Sequence, residues 1–409
     1  MEKSEFYREA RSDLTGPLDG VRVLEATTTW AGPMCGCVLA DLGADVIKVE
    51  LPSGEVARNL PPFIPDGEAP LSFAHATVNR NKRSLTLDLH GEKGREIFLD
   101  LARRSDILVE NFRPGTLDDW GLGYAGVRAV KPDIIYVSVT GFGQFGPDHD
   151  RVGYDPLAQA RSGFASLNGE PEGPPVKAAT FLADDLGGLH GALSALAALA
   201  HRQRTGEGQH IDVALLDSLL FQSNGFLTLG ALGIPLERTG NEFAFAAPAN
   251  VYACSDGHVF AGVLLDSHWK ILCRLLGRAE LAEDPAYGSV PARIGRRSEL
   301  NELMSKWCEE RTVADVVQQF AMAGIPAARV CSYADAAGDP HVRERDMLQP
   351  ATQPGGAEIP ITGPAAKFSR TPTRVRSAAP ALGAHTDAVL TELGFSAEDL
   401  QRLRSDGVV

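Results

Sequence analysis

The stretch VRVLEATTTWAGPMCGCVLADLGADVIKV, residues 21–49, decides the fold class. Residues 21–26 form a short run of β type, residues 32–42 carry a helical pattern, and residues 44–49 form a second run of β type. Strand, helix and strand with short connections predict parallel strands joined by a crossover helix. The pattern continues downstream, where residues 83–89, 107–110 and 134–139 read as strands and 91–104 as a helix. The expected fold class is therefore α/β, with a large Rossmann-like doubly wound lobe. The first strand-to-helix turn, WAGPMCG at 30–36, lacks the GxGxxG spacing that lets a backbone close on a pyrophosphate, which disfavours an NAD-dependent dehydrogenase.

Further along, residues 186–204 place Leu189, Leu193, Leu196, Ala197 and Ala200 on one helical face and stop at Thr205-Gly206, a C-terminal signal. A strand at 211–214 and a helix at 218–229 follow. Residues 230–248, with Gly, Pro and alternating Phe and Ala, read as a linker. Beyond it, 251–254 and 258–263 form a hairpin around Ser255-Asp256-Gly257. Helices near 267–276, 297–309 and 313–323 complete a smaller α+β lobe over 249–324. From residue 325 the chain is expected to return to the large lobe, which then comprises 1–229 and 325–409.

A chain of 409 residues exceeds the size at which one hydrophobic core keeps growing, in keeping with two lobes. The net charge of -14 argues against a nucleic-acid or anionic-membrane surface, although a few local Arg and Lys can still hold a small anion. The most apolar run, 189–200, is short and contains His190 and Ser194, so no membrane span is expected. The first sixteen residues are polar and carry no secretory apolar region. Six cysteines lack CxxC or zinc spacing and ten histidines lack HExxH, which points to reduced thiols and no metal site. A cytoplasmic protein is expected.

Two carboxylates, Asp184 and Asp185, stand before Gly187-Gly188 at the expected start of the 186–204 helix. Either can cap that helix by accepting orphan N–H groups. Alternatively, the glycines admit a substrate close to the backbone, and the helix end stabilises developing negative charge. The local residues leave both readings open.

The segment ATFLADDLGGLH, residues 179–190, resembles the one bearing the catalytic aspartate in class III CoA-transferases, the family of formyl-CoA transferase, carnitine CoA-transferase and α-methylacyl-CoA racemase. The resemblance extends over almost the whole chain through LDGVRVL (18–24), AGP (31–33), LGADVIKVE (42–50), NKRS (81–84), VENFRPG (109–115), RTGEGQ (204–209) and LGAHT (382–386). It implies that Asp184, already ionised at neutral pH and needing no side-chain base, attacks an acyl-CoA thioester to give an aspartyl anhydride and CoA thiolate. Asp185 would support the helix start, so that Asp185→Asn lowers stability by about 1 kcal/mol as the loss of a cap.

By the same resemblance, CoA lies along Thr29, Trp30 and Ala31, near Leu87, and against Asn111, Phe112 and Arg113. Trp30 and Phe112 read equally as core, and Arg113, Lys82 and Arg83 as surface charge. Tyr154, in Gly153-Tyr154-Asp155, stands where the racemase branch has a histidine; a phenol suits α-proton transfer poorly, which favours CoA transfer. Trp30 replaces the glutamine of formyl-CoA transferase, whose glycine-rich flap has no counterpart at 241–250. Trp30, Phe243 and Phe245 favour a larger or more apolar acyl group than formyl. The implied partners are an acyl-CoA, a free carboxylic acid and a second copy in an interlocked, ring-like homodimer, with CoA thioester as substrate and no tightly bound cofactor. The alternatives are a racemase-like acyl-CoA enzyme and a non-catalytic CoA-binding protein.

Overall fold

The structure, a computed structural model, describes residues 1–67 and 70–409. It divides into a large unit (1–165, 177–228 and 340–409) and a small unit (166–176 and 229–339).

The large unit is built on six parallel strands: β1 (Arg22–Ala26), β2 (Asp45–Glu50), β3 (Lys82–Thr86), β4 (Ile107–Glu110), β5 (Ile135–Thr140) and β6 (Gln209–Ala214), in the spatial order β3-β2-β1-β4-β5-β6. That order is the Rossmann one, with its reversal between β1 and β4. Successive residues of β1 serve opposite faces, Val23 one core and Leu24 the other, which is why apolar residues stand side by side in a strand that also carries Glu25. Over the Val23 face lie α1 (Ala31–Asp41) and, farther along, helices that surround the candidate site. Over the Leu24 face lies α2 (Glu92–Arg103), whose Ile97, Phe98 and Leu101 are buried at i, i+1 and i+4. Further helices of this unit near the sheet include α3 (Tyr124–Val130), α4 (Asp155–Arg161), α5 (Leu182–Thr205) and α6 (Leu215–Phe221). α6 ends earlier than the expected 229, because Asn224 and Gly225 take positive φ (52° and 85°) before a separate helix, Phe226–Ala231.

In the small unit, β7 (Ala249–Cys254) and β8 (Gly257–Gly262) form the expected hairpin, and α7 (Asp266–Leu275), α8 (Arg297–Glu309) and α9 (Val313–Ala323) close a core around Trp269, Leu272 and Phe320. Residues 229–248 belong to this unit: Glu242 accepts from Asn301 Nδ2 at 2.7 Å, and Ala247 is in its core. The chain re-enters the large unit at Pro340, later than the expected 325. The reason is that β9 (Ala327–Arg329) pairs with the free edge of β8, and Ile325 is buried in the small core. The re-entering segment brings α10 (Thr386–Leu393) and α11 (Ala397–Ser405), whose Val389, Leu390, Leu400 and Leu403 join the Leu24-side core.

Of Lys82 and Arg83, both read in the sequence as surface charge, only Arg83 is one. Lys82 is buried with its Nζ 2.7 Å from Glu25 Oε2, and Arg83 pairs with Glu392 at 2.8 Å. Cys35, Cys37, Cys273 and Cys308 are buried, Cys254 is half-buried and Cys331 exposed. Among the described residues no helix is long and apolar enough to cross a membrane.

Candidate active site

In an open parallel sheet the crevice outside the carboxyl ends, where strand order reverses, is the natural ligand position. Here that point lies between the turn after β1 and the turn after β4, and one side chain ties the two. Asn111 Oδ1 accepts the Thr28 N–H and its Nδ2 donates to the Thr28 carbonyl, each at 2.8 Å.

The crevice opens as a cleft of about 280 Å³ lined by Thr28, Thr29, Trp30, Ala31, Asn111, Phe112, Arg113, Tyr154 and Asp184, among others. Leu87 is apart from them: it is fully buried in the Leu24-side core, and the cleft lining does not include it. The cleft also contains residues that had no sequence signal of their own, Val139, Thr140, His149, Arg151 and Leu215. Val139 and Thr140 end β5, so the rule of carboxyl ends finds them once strand order is known. His149 and Arg151 sit in the long irregular segment between β5 and α4, whose length is itself a functional signal. Arg151 pairs with Asp148 at 2.7 Å and Arg113 Nη2 donates to the Asp150 carbonyl at 2.7 Å, so two guanidinium groups stand at the mouth of an otherwise acidic molecule.

Two expectations about the 184–188 segment are corrected. α5 begins at Leu182, not 186, so both aspartates lie within its first turn; its N-cap is Phe181, and no side chain caps from that position. The acceptor at this helix start comes from elsewhere. Asp155, 2% exposed, accepts the Ala183 N–H through Oδ1 and Gln159 Nε2 through Oδ2, both at 2.7 Å. Gln159 Oε1 in turn accepts the Ala178 N–H at 2.8 Å, so α4 anchors the chain that enters α5. The glycines serve packing: a Cβ on Gly187 would collide with Leu215, and one on Gly188 would fall 2.7 Å from Met34 and 2.9 Å from the Ala31 carbonyl. They let α5 lie directly on α1 and α6.

Asp185 Oδ1 accepts the Trp30 indole N–H at 2.7 Å, and the Trp30 ring meets Phe181 edge to face at 4.9 Å. Trp30 is thus both core and cleft wall. Burial raises the Asp185 pKa, opposed by the Trp30 hydrogen bond. Asp185→Asn keeps an acceptor for the indole, whereas Asp185→Ala leaves a buried N–H unpaired. Thermal unfolding is expected to show a loss of about 1–3 kcal/mol for the alanine variant and clearly less for asparagine.

Burial, with the like charges of Asp155 and Asp185, pushes the Asp184 pKa up to about 7. Asp184 therefore holds its proton to higher pH than the sequence expectation of an already ionised nucleophile assumes. A carboxylate held this way is desolvated and reactive when ionised, at the start of a helix whose dipole favours negative charge.

The profile described as CoA-transferase family III matches residues 18–386. The succinyl-CoA:mesaconate CoA-transferase of Haloarcula hispanica is 37% identical to this chain over 96% of it and 100% of the relative. The succinate–glutarate CoA-transferase of Agrobacterium fabrum is 38% identical over 92% and 96%. Among solved structures, that of a CAIB/BAIF family protein from Brucella suis superimposes with a TM-score of 0.83 at 36% identity, covering 93% of this chain and 100% of the other.

Proposed function

The chain belongs to CoA-transferase family III, and from that premise we propose that it moves CoA from an acyl-CoA donor to a free carboxylic acid through covalent intermediates on Asp184. One observation carries the reading: the Asp184 carboxyl, desolvated and raised in pKa, shares a cleft with Thr29, Trp30, Asn111 and the cationic mouth residues. An Asp184 oxygen attacks the thioester carbonyl, the C–S bond breaks, and CoA leaves as thiolate from an aspartyl anhydride. The thiolate then attacks the aspartyl carbonyl, releasing the donor's carboxylate and leaving an aspartyl-CoA thioester. The acceptor carboxylate repeats the first step on that thioester, and thiolate attack on the new acyl carbonyl frees the product and restores Asp184. No redox partner or net proton is consumed. A cytoplasmic location and the lack of a tightly bound cofactor belong to the same reading.

Relatives named for succinyl-CoA, mesaconate, succinate and glutarate support dicarboxylic groups as the first donors and acceptors to try. Phe243 and Phe245, which suggested an apolar acyl group, lie in the small unit, where their rings meet edge to face at 5.7 Å. The purified protein, incubated with panels of acyl-CoAs and free acids, should form new thioesters detectable by mass spectrometry. Failure to exchange CoA with any pair would defeat the proposal.

Racemisation is the competing chemistry. Tyr154 is 58% exposed and precedes α4 as its N-cap residue, a position suited to shielding an acyl group. Tyr154→Phe is expected to keep the larger part of the transfer rate. Deuterium exchange at the substrate α-carbon, present in the wild type and lost in Tyr154→Phe, would instead favour the racemase reading.

The interlocked homodimer is part of the proposal. It is supported by the apolar face that Leu189, Leu193 and Phe221 expose, and by a chain that leaves the large unit after 228 and re-enters it at 340. Light scattering should give the mass of two chains down to nanomolar concentration, because separating threaded subunits requires unfolding. A folded monomer on simple dilution would remove the threaded arrangement.

A further inference from the structure

Beneath the Thr28–Trp30 turn lies a set of charged side chains that the chemistry above does not use. Glu25 and Lys48 are fully buried; Lys48 Nζ is 3.2 Å from Glu25 Oε1 and 3.3 Å from Glu55 Oε1, and Lys82 Nζ completes the set on Glu25. Charges persist in such surroundings only when paired and hydrogen-bonded. α1 makes room for them at Gly36, where a Cβ would collide with the Glu25 carboxylate.

Glu55 is the member that reaches the turn. Its Oε2 accepts the Thr29 N–H at 2.8 Å, while Oε1 faces Lys48, Asn79 Nδ2 at 3.4 Å and His75 Nδ1 at 3.6 Å. Burial alone would raise its pKa, but the Lys48 ammonium and the hydrogen bond from the Thr29 N–H hold it well below the usual carboxylate range. Lys48 also donates to the Thr27 carbonyl at 3.0 Å.

Thr29 has φ +70°, a left-handed conformation that β-branched residues rarely adopt and that persists only where the surroundings over-determine it. Two side chains from other segments do so here. Asn111 takes the Thr28 N–H and Glu55 the Thr29 N–H. The turn so held delivers Trp30 to the start of α1, from which its indole reaches Asp185 beside Asp184.

We propose that Glu55, which the cleft lining does not include, is a positioning residue for the nucleophile: by accepting the Thr29 N–H it maintains the left-handed turn that places the Trp30 indole on Asp185 and so fixes the first turn of α5. The catalytic part rests on the reading of Asp184 given above.

Glu55→Ala removes the acceptor. A glycine at 29 adopts the left-handed turn without a Cβ penalty, so Thr29→Gly should restore what Glu55→Ala loses if the turn is the point of action. Two readouts separate the claims. The first, the indole N–H resonance of Trp30 in protein labelled with 15N-tryptophan and assigned by Trp30→Phe, needs no activity. The second is the split of kcat and KM. Glu55→Ala is expected to shift the resonance and lower kcat about tenfold or more with KM within about twofold; the double variant should recover the resonance and several-fold of kcat. Should Glu55→Ala fail to fold, Glu55→Asp, which keeps the charge but draws the acceptor back, takes its place with the same readings. An unmoved resonance, or a loss of kcat that Thr29→Gly leaves unrepaired, overturns the positioning role. No exchange in the wild type together with the expected resonance changes would count against the transferase reading and not against the turn.

Discussion

Asp184→Asn is expected to lower CoA exchange by at least about a thousandfold while the fold and CoA binding persist. The amide matches the carboxyl in size but supplies no anionic oxygen, so neither the anhydride nor the thioester can form at normal rate. The variant also tests which of two adjacent carboxylates reacts. Asp184 lines the cleft, whereas Asp185 is engaged with the Trp30 indole. Incubating the wild type with acyl-CoA and hydroxylamine should leave a hydroxamate at Asp184, located by peptide mass spectrometry. Modification confined to Asp185, or an Asp184→Asn enzyme with full activity, would reverse the assignment.

The rate of adduct formation is expected to rise with pH through about 7, because the nucleophile must be ionised and its pKa stands near that value. Asp185→Asn removes one of the like charges that raise it, so the ascending limb should move to lower pH. Stability should run the opposite way. The folded protein holds a proton on Asp184 at pH values where the unfolded chain, with an ordinary carboxylate near 3.9, has released it. Stability from this group is therefore fully present below about 4 and lost as pH rises to about 7. Asp184→Asn should accordingly be more stable than the wild type above pH 7, by about 1–3 kcal/mol after allowance for partial solvent access, with the gain vanishing in acid. Thermal unfolding of both proteins across that range checks the sign. A variant destabilised equally at all pH values would show that Asp184 carries no such strain.

The sequence by itself determined the parallel α/β sheet and the identity of the candidate nucleophile, for different reasons. The β-type runs at 21–26, 44–49 and 107–110 are visible locally because Val23, Val46 and Val109 serve one core and Leu24, Ile47 and Leu108 the other, and the crossover helices announce themselves through their own period. Asp184 was legible because its segment, 179–190, matches a family motif, although capping alone could not separate it from Asp185. Six of the residues expected around CoA, and Tyr154, do line one cleft with it, since they follow β1, follow β4 or precede α4, all at the carboxyl end of the sheet.

Other features were decided only when distant segments met. Asp155 supplies the acceptor for a helix that starts 27 residues later, at Leu182, and no local pattern announces a cap from another helix. Gly187 and Gly188 looked like room for a substrate; their missing side chains are filled by Leu215, Met34 and the Ala31 carbonyl, which only the crossing of α5 over α1 and α6 brings there. Lys82 looked like surface charge until its strand was placed beside β2, with Glu25 within reach of its ammonium. The Asp184 proton likewise depends on desolvation and on two neighbouring carboxylates. A motif names the candidate nucleophile, but its charge state is set by the low-dielectric surroundings that tertiary packing builds around it.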